Sequence, residues 1–343
     1  ELQLSLTTGS HGENAVPMGG VPHDAAEGYL AQLLEKGYTV AVCEQMEDPK
    51  AAKGLGKRAV TRVLTPGTVV EDSGLVAKGH NYLGAVYWDE EQSGGGFAWV
   101  DYSTGEWSGL SSTRAADLWQ WVLKLSPREL LIPDLSEELF RLPEGIALGG
   151  VMPVRVPTGS FFDLKSGAGK ILKAQGVAEL GALGLDGREE LTRACGALLT
   201  YLIQTQKHDL SHLAPFTPLS LEKHLVIDEI SERNLEIFRR LDGKKGRGTL
   251  YHVLDHTVTP MGGRMLEERL RHPWRELGPI AETQDAVAYL AKSDTLREKL
   301  RKALDTVYDL ERLSTLICLN RTSPKDFVAL LQSLASLPAV REA

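Results

Sequence analysis

Three short stretches rich in aromatic and β-branched residues follow one another over residues 81–110, and turn-forming residues separate them. The stretches are NYLGAVYW, GFAWVDY and GEWSGL, and the separators are EEQSGG and STG. Strands this close in sequence pair as antiparallel hairpins, because a parallel pair needs a crossover of about a dozen residues or more. The sequence therefore predicts a three-stranded antiparallel meander.

An amphipathic stretch follows the meander over residues 115–125 and is closed by Ser126 and Pro127. The apolar stretch RELLIP then reads as a strand, and a weaker helix-and-strand order continues to about residue 173. A meander followed by alternating helices and strands resembles the ribonuclease-H-like architecture. This arrangement predicts a ribonuclease-H-like α/β unit over residues 79–183.

The sequence pattern differs on either side of this unit. Residues 1–78 are mixed α/β, with alternating leucines at Leu2, Leu4 and Leu6, a helix over 23–36, a buried strand over 38–43 and a strand over 58–65. Residues 184–343 are mostly helical, with helices predicted over 188–206, 261–271, 280–292 and 307–319. The predicted fold class is therefore multidomain, α/β followed by mainly α.

The two ends of the sequence bear on its completeness. Residue 1 is Glu, and the last helix begins at Ser323 and Pro324 but reaches Ala343 without a stop signal. We therefore expect the chain to be part of a longer protein.

Charge and composition restrict the class of protein. The chain has 38 basic and 46 acidic residues, a net charge of −8, so it is not basic as a whole, although a local basic patch can still act within the screening length of about 10 Å. The three cysteines form no CxxC pair, as expected for reduced thiols in the cytoplasm. The longest apolar run, residues 194–203, is half the length of a membrane helix, so we expect no membrane partner.

A basic segment over residues 50–62 contains five cations and no acidic residue: Lys50, Lys53, Lys57, Arg58 and Arg62. With Gly54 and Gly56 allowing close approach, it could form an edge that contacts phosphates. A solvated loop is the alternative, and composition alone does not exclude it.

The stretch SGAGK at residues 166–170 resembles part of a phosphate-binding loop. The full pattern needs Gly and Ser or Thr at the positions that Leu164 and Ile171 occupy. We therefore predict a flexible surface loop, and we expect the chain neither to bind nor to hydrolyse ATP. The basic stretch GKKGRG, with Lys244, Lys245 and Arg247, similarly predicts a mobile connection before a helix.

Two histidine pairs have the i, i+4 spacing of a helical zinc site, His208 with His212 and His252 with His256. The sequence near each pair offers no third ligand, so we interpret these histidines as structural or surface residues and expect no metal. Asp89, Asp101 and Glu106 could instead belong to a metal-dependent nuclease, which needs three or four converging carboxylates. Their positions beside turns make this an alternative rather than the preferred interpretation.

Four stretches together resemble the MutS family of DNA mismatch repair proteins. They are PMGGVPHDAAEGYLAQLLEKGYTVAVCEQMEDPKAAKGLGKRAVTRVLTPGT, NYLGAVYWD with GFAWVDYSTGEW, ISERNLEIF, and LDHTVTPMGGRMLEERLRHP. The first is long and specific, and the order and spacing match across nearly the whole chain.

The resemblance implies a mismatch-binding domain over residues 1–78, a connector domain over 79–183 and the start of a helical core or lever domain over 184–343. Proteins of the family work as dimers that close around mispaired double-stranded DNA, couple this to ATP binding and recruit a MutL-type partner. ATP and Mg are therefore expected in an ATPase domain outside this sequence, with no cofactor in the chain itself. The implied location is the cytoplasm, associated with the nucleoid.

The sequence departs from the family pattern in two respects. The Phe-x-Glu motif that reads the mispair precedes, in the family, the strand that corresponds to ELQLSLTT, and the ATPase phosphate loop lies far towards the C-terminus. Neither occurs in the sequence. The mismatch-reading role is therefore assigned to no residue of this chain.

Few site residues carry over from the family. Pro17 and Met18, in PMGG, match a loop that approaches the DNA minor groove, and Lys57 and Arg58 match a basic stretch of the same domain. With Arg62 of the basic segment, these are the candidate DNA contacts. We expect a largely monomeric, non-enzymatic chain that binds DNA weakly, and the alternatives are a nuclease and a module that binds only protein.

Overall fold

A computed structural model of the chain describes residues 6–8, 17–22, 25–46, 57–89, 94–134 and 150–343. Lys50 and Lys53 of the basic segment, with Gly54 and Gly56, lie outside the described residues. So do Leu2, Leu4 and the first two residues of the helix predicted over 23–36.

The described strands and helices keep the predicted sequence of a mixed α/β part, a second α/β part and a mainly helical part. The strands are β1 Leu6–Thr8, β2 Pro17–Gly19, β3 Val40–Gln45, β4 Arg58–Leu64, β5 Tyr82–Asp89, β6 Gly94–Asp101, β7 Glu106–Ser112, β8 Glu129–Pro133, β9 Met152–Val156 and β10 Thr217–Pro218. The helices are α1 Ala26–Glu35, α2 Ala115–Leu125, α3 Thr158–Phe161, α4 Leu164–Gln175, α5 Glu189–Gln206, α6 Glu229–Asn234, α7 Leu250–Leu254, α8 Pro260–Arg271, α9 Leu277–Ala291, α10 Asp294–Leu304, α11 Leu310–Cys318 and α12 Pro324–Glu342.

The first unit contains two small antiparallel pairs, β1 with β2 and β3 with β4, and the helix α1. Its core is a cluster formed by Leu34, Leu64 and Val69. The prediction that β3 is buried is wrong, because Ala41 and Cys43 are exposed. A two-stranded pair covered on one face by a small cluster leaves its other face to solvent.

The second unit is built on a six-stranded sheet with the order β10-β7-β6-β5-β8-β9. The strands β5, β6 and β7 pair antiparallel in sequence order, which confirms the predicted meander. Strand β8 is parallel to β5, β9 is parallel to β8, and the short β10 adds in parallel beside β7. The sheet is therefore mixed, with its antiparallel meander next to a parallel half.

Helices cover both faces of this sheet and form two separate cores. On one face, Leu83, Ala98 and Val100 pack against Leu191 and Leu198 of α5. On the other face, α2 packs against the sheet, and the core there is rich in tryptophan: Trp99, Trp119 and Trp121 with Phe97, Leu118 and Val122. The alternation of the strands distributes their side chains between the two cores.

Helix α5 is placed differently from the sequence-based assignment. The helix itself is confirmed, but it lies in the core of the second unit, whereas the predicted boundary at residue 183 puts it in the third. Twelve of its residues are buried. A helix that is apolar around most of its circumference needs cover on more than one side, and the sheet and α4 supply that cover together.

The stretch SGAGK lies within α4, so the predicted flexible loop is wrong there. The physical reason is a close approach of two helices: a Cβ added at Gly196 of α5 would lie 2.6 Å from the Cα of Gly167. Asp163 caps the helix by accepting a hydrogen bond of 2.7 Å from the Ser166 amide. Glycine in this stretch serves helix packing rather than loop flexibility.

The third unit is mainly helical, as predicted, and also contains α10, which the sequence pattern does not identify. The predicted start of the last helix is confirmed, since Ser323 and Asp326 form a reciprocal capping box with Pro324 in the first turn. In the part of the chain that the structure describes, no helix is long and apolar enough to cross a membrane.

Candidate nucleic-acid interface

The structure places Pro17 and Met18 in β2, which pairs with β1 in the first unit. In this pair, Pro17 lies opposite Thr8 and Met18 opposite Thr7. Proline has no amide hydrogen, and it is therefore tolerated in a two-stranded ribbon at an edge. The predicted minor-groove residues thus lie on a small ribbon separate from the large sheet.

Arg58 is the first residue of β4 and Lys57 precedes it, at the end of the β3–β4 pair where the segment that connects the two strands joins them. The Lys57 carbonyl accepts a 2.9 Å hydrogen bond from the Met46 amide, and Arg58 pairs with Gln45. Both basic residues are exposed. Paired backbone and exposed side chains fit a strand end that presents cations outward.

Arg62 lies on the same strand but in a different environment. Val42 pairs with Arg62 and Cys43 with Val60, so Thr61 has no opposite residue and forms a bulge. In a regular strand, positions 58 and 62 share a face, and a bulge breaks that alternation. The Arg62 guanidinium lies 2.7 Å from the Glu71 carboxylate, with a side chain 23% exposed. The structure therefore separates Arg62 from the exposed pair.

Glu71 also faces the third unit, so the Arg62 pair belongs to a larger ring. Arg321, in the turn between α11 and α12, lies 3.9 Å from the same carboxylate oxygen. It donates a 3.0 Å hydrogen bond to the Gln206 side chain, which in turn donates one of 3.0 Å to the Val63 carbonyl. The ring closes on β4 and joins the strand to the end of α5 and to the third unit.

A second connection attaches β4 to the sheet through a buried acid. The chain leaves β4 in a 3₁₀ turn, Pro66–Thr68, that Thr65 and Thr68 cap reciprocally. The Glu129 carboxylate of β8 accepts hydrogen bonds from the Thr65 hydroxyl at 2.5 Å, the Gly67 amide at 2.9 Å and the Tyr201 hydroxyl at 3.3 Å. Burial raises the pKa of Glu129, and these donors only partly offset that rise. The first unit is thus seated on the second by a satisfied buried carboxylate.

Helices α2 and α8 meet end to end where the second and third units join. The Lys124 ammonium donates to the Arg271 carbonyl, and the Arg271 guanidinium donates a 2.5 Å hydrogen bond to the Lys124 carbonyl. Each cation thus serves the carbonyl end of the other helix, where a positive charge is favoured. Burial, opposed by the charge of Glu232 and reinforced by that of Arg271, lowers the pKa of Lys124 to about 8.

A buried arginine ties α8 to α11. The Arg264 side chain is 2% exposed, donates two hydrogen bonds of 2.7 Å to Asp309 and also bonds Glu311. A further 3.0 Å hydrogen bond to the Ala77 carbonyl fixes the linker between the first two units. Arginine suits such a site because its planar fork can satisfy several acceptors together.

The carboxylates considered for nuclease chemistry do not form a metal site. Asp101 is fully buried and accepts hydrogen bonds from the Ser103 hydroxyl at 2.6 Å, the Ser103 amide at 3.0 Å, the Asn81 amide at 3.2 Å and His80 Nδ1 at 3.1 Å. Although burial raises the pKa of Asp101, the bond and charge of His80 bring it below its ordinary value. Its oxygens are thus occupied by protein donors at a turn.

The histidine pairs behave as structural or surface residues. His208 and His212 follow the end of α5, and the His212 ring packs edge-on against Tyr102 with ring centroids 4.8 Å apart. Burial lowers the pKa of His212 to about 4, so the imidazole is neutral at physiological pH. Among the described residues, no group of three or more His, Cys, Asp or Glu side chains could hold a metal ion.

Sequence reasoning misses the residues that seat the first unit, namely Glu129, Gln206 and Arg321. A signal for Glu129 exists, since a single acid in the apolar strand RELLIP indicates a buried carboxylate that must find donors. For Gln206 and Arg321 there is no local signal, because their partners lie more than a hundred residues away in the sequence.

Comparison with known proteins gives matches in the order of the three units. Family models described as MutS domain I, MutS domain II and MutS domain III match residues 1–73, 81–214 and 231–343. The matches follow one another along the chain and leave only short gaps between them.

Curated relatives that align with nearly the whole chain share one name. A protein named DNA mismatch repair protein MutS from Nitratidesulfovibrio vulgaris (strain DP4) is 63% identical over 342 residues, 99% of this chain and 37% of the relative. Proteins of that name from Oleidesulfovibrio alaskensis and Symbiobacterium thermophilum are 62% and 40% identical, over 100% of this chain and 38% and 39% of their own lengths. The chain spans a little over one third of these relatives. It belongs to the MutS family.

Proposed function

We propose that this chain is the DNA-recognising part of a MutS-type mismatch repair protein. The observation that carries the proposal is the ordered match to MutS domains I, II and III, together with 63% identity to a relative named DNA mismatch repair protein MutS. The proposed ligand is double-stranded DNA that contains a mispair, bound within the larger protein.

The first unit supplies the proposed DNA contacts. Pro17 and Met18 reach the minor groove, where an apolar wedge unstacks a mispaired step at lower cost than a matched one. Lys57 and Arg58 contact phosphates, which position the unit without reading sequence. Arg62 is the remaining candidate from the sequence, and its ion pair with Glu71 supports a role in holding β4 against the third unit rather than a phosphate contact.

The second and third units are proposed to be the connector domain and the start of the core or lever domain. The strand order β7-β6-β5-β8-β9, with an antiparallel meander beside a parallel pair, supports a ribonuclease-H-like connector. The packing of α5 on this sheet supports extending the connector past residue 183, beyond the boundary predicted from sequence. The two networks around Glu129 and Glu71 support a connector that holds the DNA-contacting strand.

The remaining activities belong to the whole protein in this proposal. They are ATP and Mg binding in an ATPase domain, DNA-dependent ATP hydrolysis, dimer formation, recruitment of a MutL-type partner and a cytoplasmic location. Support for them is the family membership alone. The chain itself is proposed to be non-enzymatic, without a cofactor, and largely monomeric.

A salt titration of duplex binding tests the proposed contacts. Fluorescence anisotropy of the 343-residue chain with a labelled G·T duplex is expected to show weak binding with a log–log salt slope of about −2 to −4. Replacing both Lys57 and Arg58 with Ala should flatten that slope by up to about 2, because each lost phosphate contact retains roughly one counterion.

The matched control is Lys299→Ala with Lys302→Ala, two exposed lysines of α10 that carry the same charge change. The control should leave the slope unchanged. If both double variants flatten the slope equally, only net charge matters, and the assignment of Lys57 and Arg58 is lost.

Discrimination between matched and mispaired duplexes is expected to be small, because the chain has no Phe-x-Glu motif to stack on the mispair. A tenfold preference for the G·T duplex, equivalent to about 1.4 kcal/mol, would instead mean that residues outside the proposed contacts read the mispair.

The nuclease alternative and the protein-only alternative are not favoured by the relatives' names. For the nuclease, the Asp101 carboxylate is also committed to four protein donors. If the chain cleaves a labelled duplex in the presence of magnesium, and Asp101→Asn abolishes the cleavage, the nuclease would become the preferred function.

A further inference from the structure

The outer edge of β4, opposite the edge that pairs with β3, meets the end of α5. Because the Lys57 carbonyl accepts its hydrogen bond from Met46, just after β3, the alternation of an antiparallel pair turns the backbone of Arg58 and Val60 towards the outer edge. There the Lys207 ammonium donates a 2.7 Å hydrogen bond to the Val60 carbonyl. A lysine of the second unit is therefore bonded to the strand that carries the candidate phosphate contacts.

This hydrogen bond fixes the Lys207 amine relative to the basic start of β4. Arg58 and Val60 are two residues apart on the same edge, which corresponds to about 7 Å along a strand. The Lys57, Arg58 and Lys207 side chains are all exposed. Three exposed cations, two from the first unit and one from the second, therefore lie close together at this end of the strand.

Among the described residues, the Lys207 ammonium forms no ion pair. The nearest acid in the sequence, Asp209, accepts a 2.8 Å hydrogen bond from the Ser211 hydroxyl and lies 3.8 Å from His208. An ammonium carries three N–H donors, and the bond to Val60 uses one of them. The amine can therefore bind an anion while it stays bonded to the strand.

The backbone at Lys207 has an unusual conformation for a residue that carries a side chain. Lys207 ends α5 in the left-handed region, with a φ of +51°, at a position where glycine is the common choice. Glycine there would avoid the strain, but it would leave the Val60 carbonyl without the amine. The chain thus holds a cation at the edge of β4 in a conformation that costs free energy.

The residue before Lys207 holds the same end of α5 on the strand. The buried Gln206 side chain donates a 3.0 Å hydrogen bond to the Val63 carbonyl and accepts one of 3.0 Å from Arg321. Two consecutive residues of α5 therefore bond two carbonyls of β4. The spacing between Lys207 and the cations of the first unit is set by this packing.

We propose that Lys207 is a further phosphate contact, contributed by the second unit beside Lys57 and Arg58. The inference rests on the proposed function, because the ligand is the same duplex. Each DNA strand carries one phosphate per about 3.4 Å of helix axis, so a row of cations at a strand edge can follow one backbone. Such contacts position a protein without reading bases. The DNA-binding surface then continues from the first unit onto the second.

Salt titrations of Lys207 variants separate a phosphate contact from a purely structural bond. Lys207→Asn removes the charge with a residue that tolerates the left-handed region, and it should flatten the log–log slope of duplex binding by about 0.9. Lys207→Arg should keep the slope of the parent chain. The matched control is Lys292→Asn at the end of α9, which removes an exposed lysine and should leave the slope unchanged. An unchanged slope in Lys207→Asn overturns the proposal, even if the variant is less stable.

Amine footprinting of the unaltered chain provides a second measurement that needs no substitution. The chain is acetylated with an N-hydroxysuccinimide ester, with and without duplex, and the modified lysines are identified by mass spectrometry. Duplex should cause a loss of acetylation rate at Lys207 and none at Lys292. Equal loss at both lysines, or no loss at Lys207, overturns the proposal.

The two sets of variants distinguish this proposal from the proposed function. If the Lys57 and Arg58 double variant flattens the slope and Lys207→Asn does not, the duplex contacts the first unit alone and the inference about Lys207 fails. If only Lys207→Asn flattens it, the second unit binds the duplex and the assignment of Lys57 and Arg58 fails. If neither changes the slope, both assignments fail.

Discussion

The Thr65 hydroxyl donates a 2.5 Å hydrogen bond to the Glu129 carboxylate, although the two residues lie in different units and are 64 positions apart. Neither residue is more than 1% exposed. An acid buried to this extent is tolerated only when donors surround it, and Gly67 and Tyr201 supply the others. This carboxylate is therefore one of the polar groups that hold the first unit on the second, together with the network around Glu71.

Stability attributed to Glu129 should fall as the pH rises. Because the folded chain holds the Glu129 proton more tightly than the unfolded chain, whose pKa is about 4.5, the folded state binds more protons above that pH. The stability difference between the parent chain and Glu129→Gln should therefore shrink between pH 4.5 and the raised pKa. Urea unfolding of both proteins across this range measures the difference. A difference that grows with pH contradicts the assignment.

Lys124 should show the opposite pH dependence. With a folded pKa of about 8 against 10.5, the unfolded chain binds more protons between those values, so the parent chain gains stability as the pH rises from 8 to 10.5. Relative to Lys124→Met, the gain should be roughly 1–3 kcal/mol. Unfolding of both proteins at about pH 7.5 and pH 10, which bracket most of this window, tests the prediction. Equal differences at the two pH values would mean that the amine titrates normally.

The contact between α4 and α5 should not accept a methyl group. Gly196→Ala would place a Cβ 2.6 Å from the Gly167 Cα, and backbone cannot move aside as a flexible side chain can. We expect a loss of about 1–3 kcal/mol in the free energy of unfolding. Gly169→Ala is the control, because nothing lies within 4 Å of its added Cβ, and it should stabilise α4 by about 0.5–1 kcal/mol. Chemical denaturation gives both values, and equal effects would contradict the close approach.

Arg62 and Arg58 should differ in their effect on DNA binding. Arg62 is neutralised by Glu71, so Arg62→Gln should leave the salt slope within error, while Arg58→Gln should flatten it by about 0.9. A double-mutant cycle of Arg62 and Glu71 should give a coupling of roughly 0.5–1 kcal/mol in unfolding free energy, because the pair is only partly screened. A flatter slope for Arg62→Gln would show that Arg62 leaves Glu71 to contact phosphate.

Much of the local structure follows from local chemistry. The end of β4 is predictable because Pro66 and Gly67 terminate a strand, and the start of α12 is predictable because Ser323 and Pro324 begin a helix. Both signals act locally and do not depend on the rest of the fold. The meander is predictable for a similar reason, since strand spacing and turn residues leave one way to pair. The order of the elements needs no information from distant residues.

The placement of α5 and the ring around Glu71 are not predictable in this way. The apolar run at residues 194–203 indicates a buried helix but does not say which unit buries it. The bulge at Thr61 turns Arg62 away from Arg58, and no residue near it in the sequence marks that change. Gln206 and Arg321 find their partners only in the folded chain, so their role appears with the structure.

The two-residue strand β10 has a consequence for how the molecule can be cut. Thr217 and Pro218 lie beside Ser108 and Gly109, and the Leu219 amide donates a 2.7 Å hydrogen bond to the Gly109 carbonyl. A fragment that ends at residue 214, where the match to the second MutS domain ends, would lack β10, the edge strand of the sheet. The exposed edge of β7 could then pair with a strand of another molecule, and we expect such fragments to aggregate. Trimming after Leu219 keeps that edge capped by its own chain.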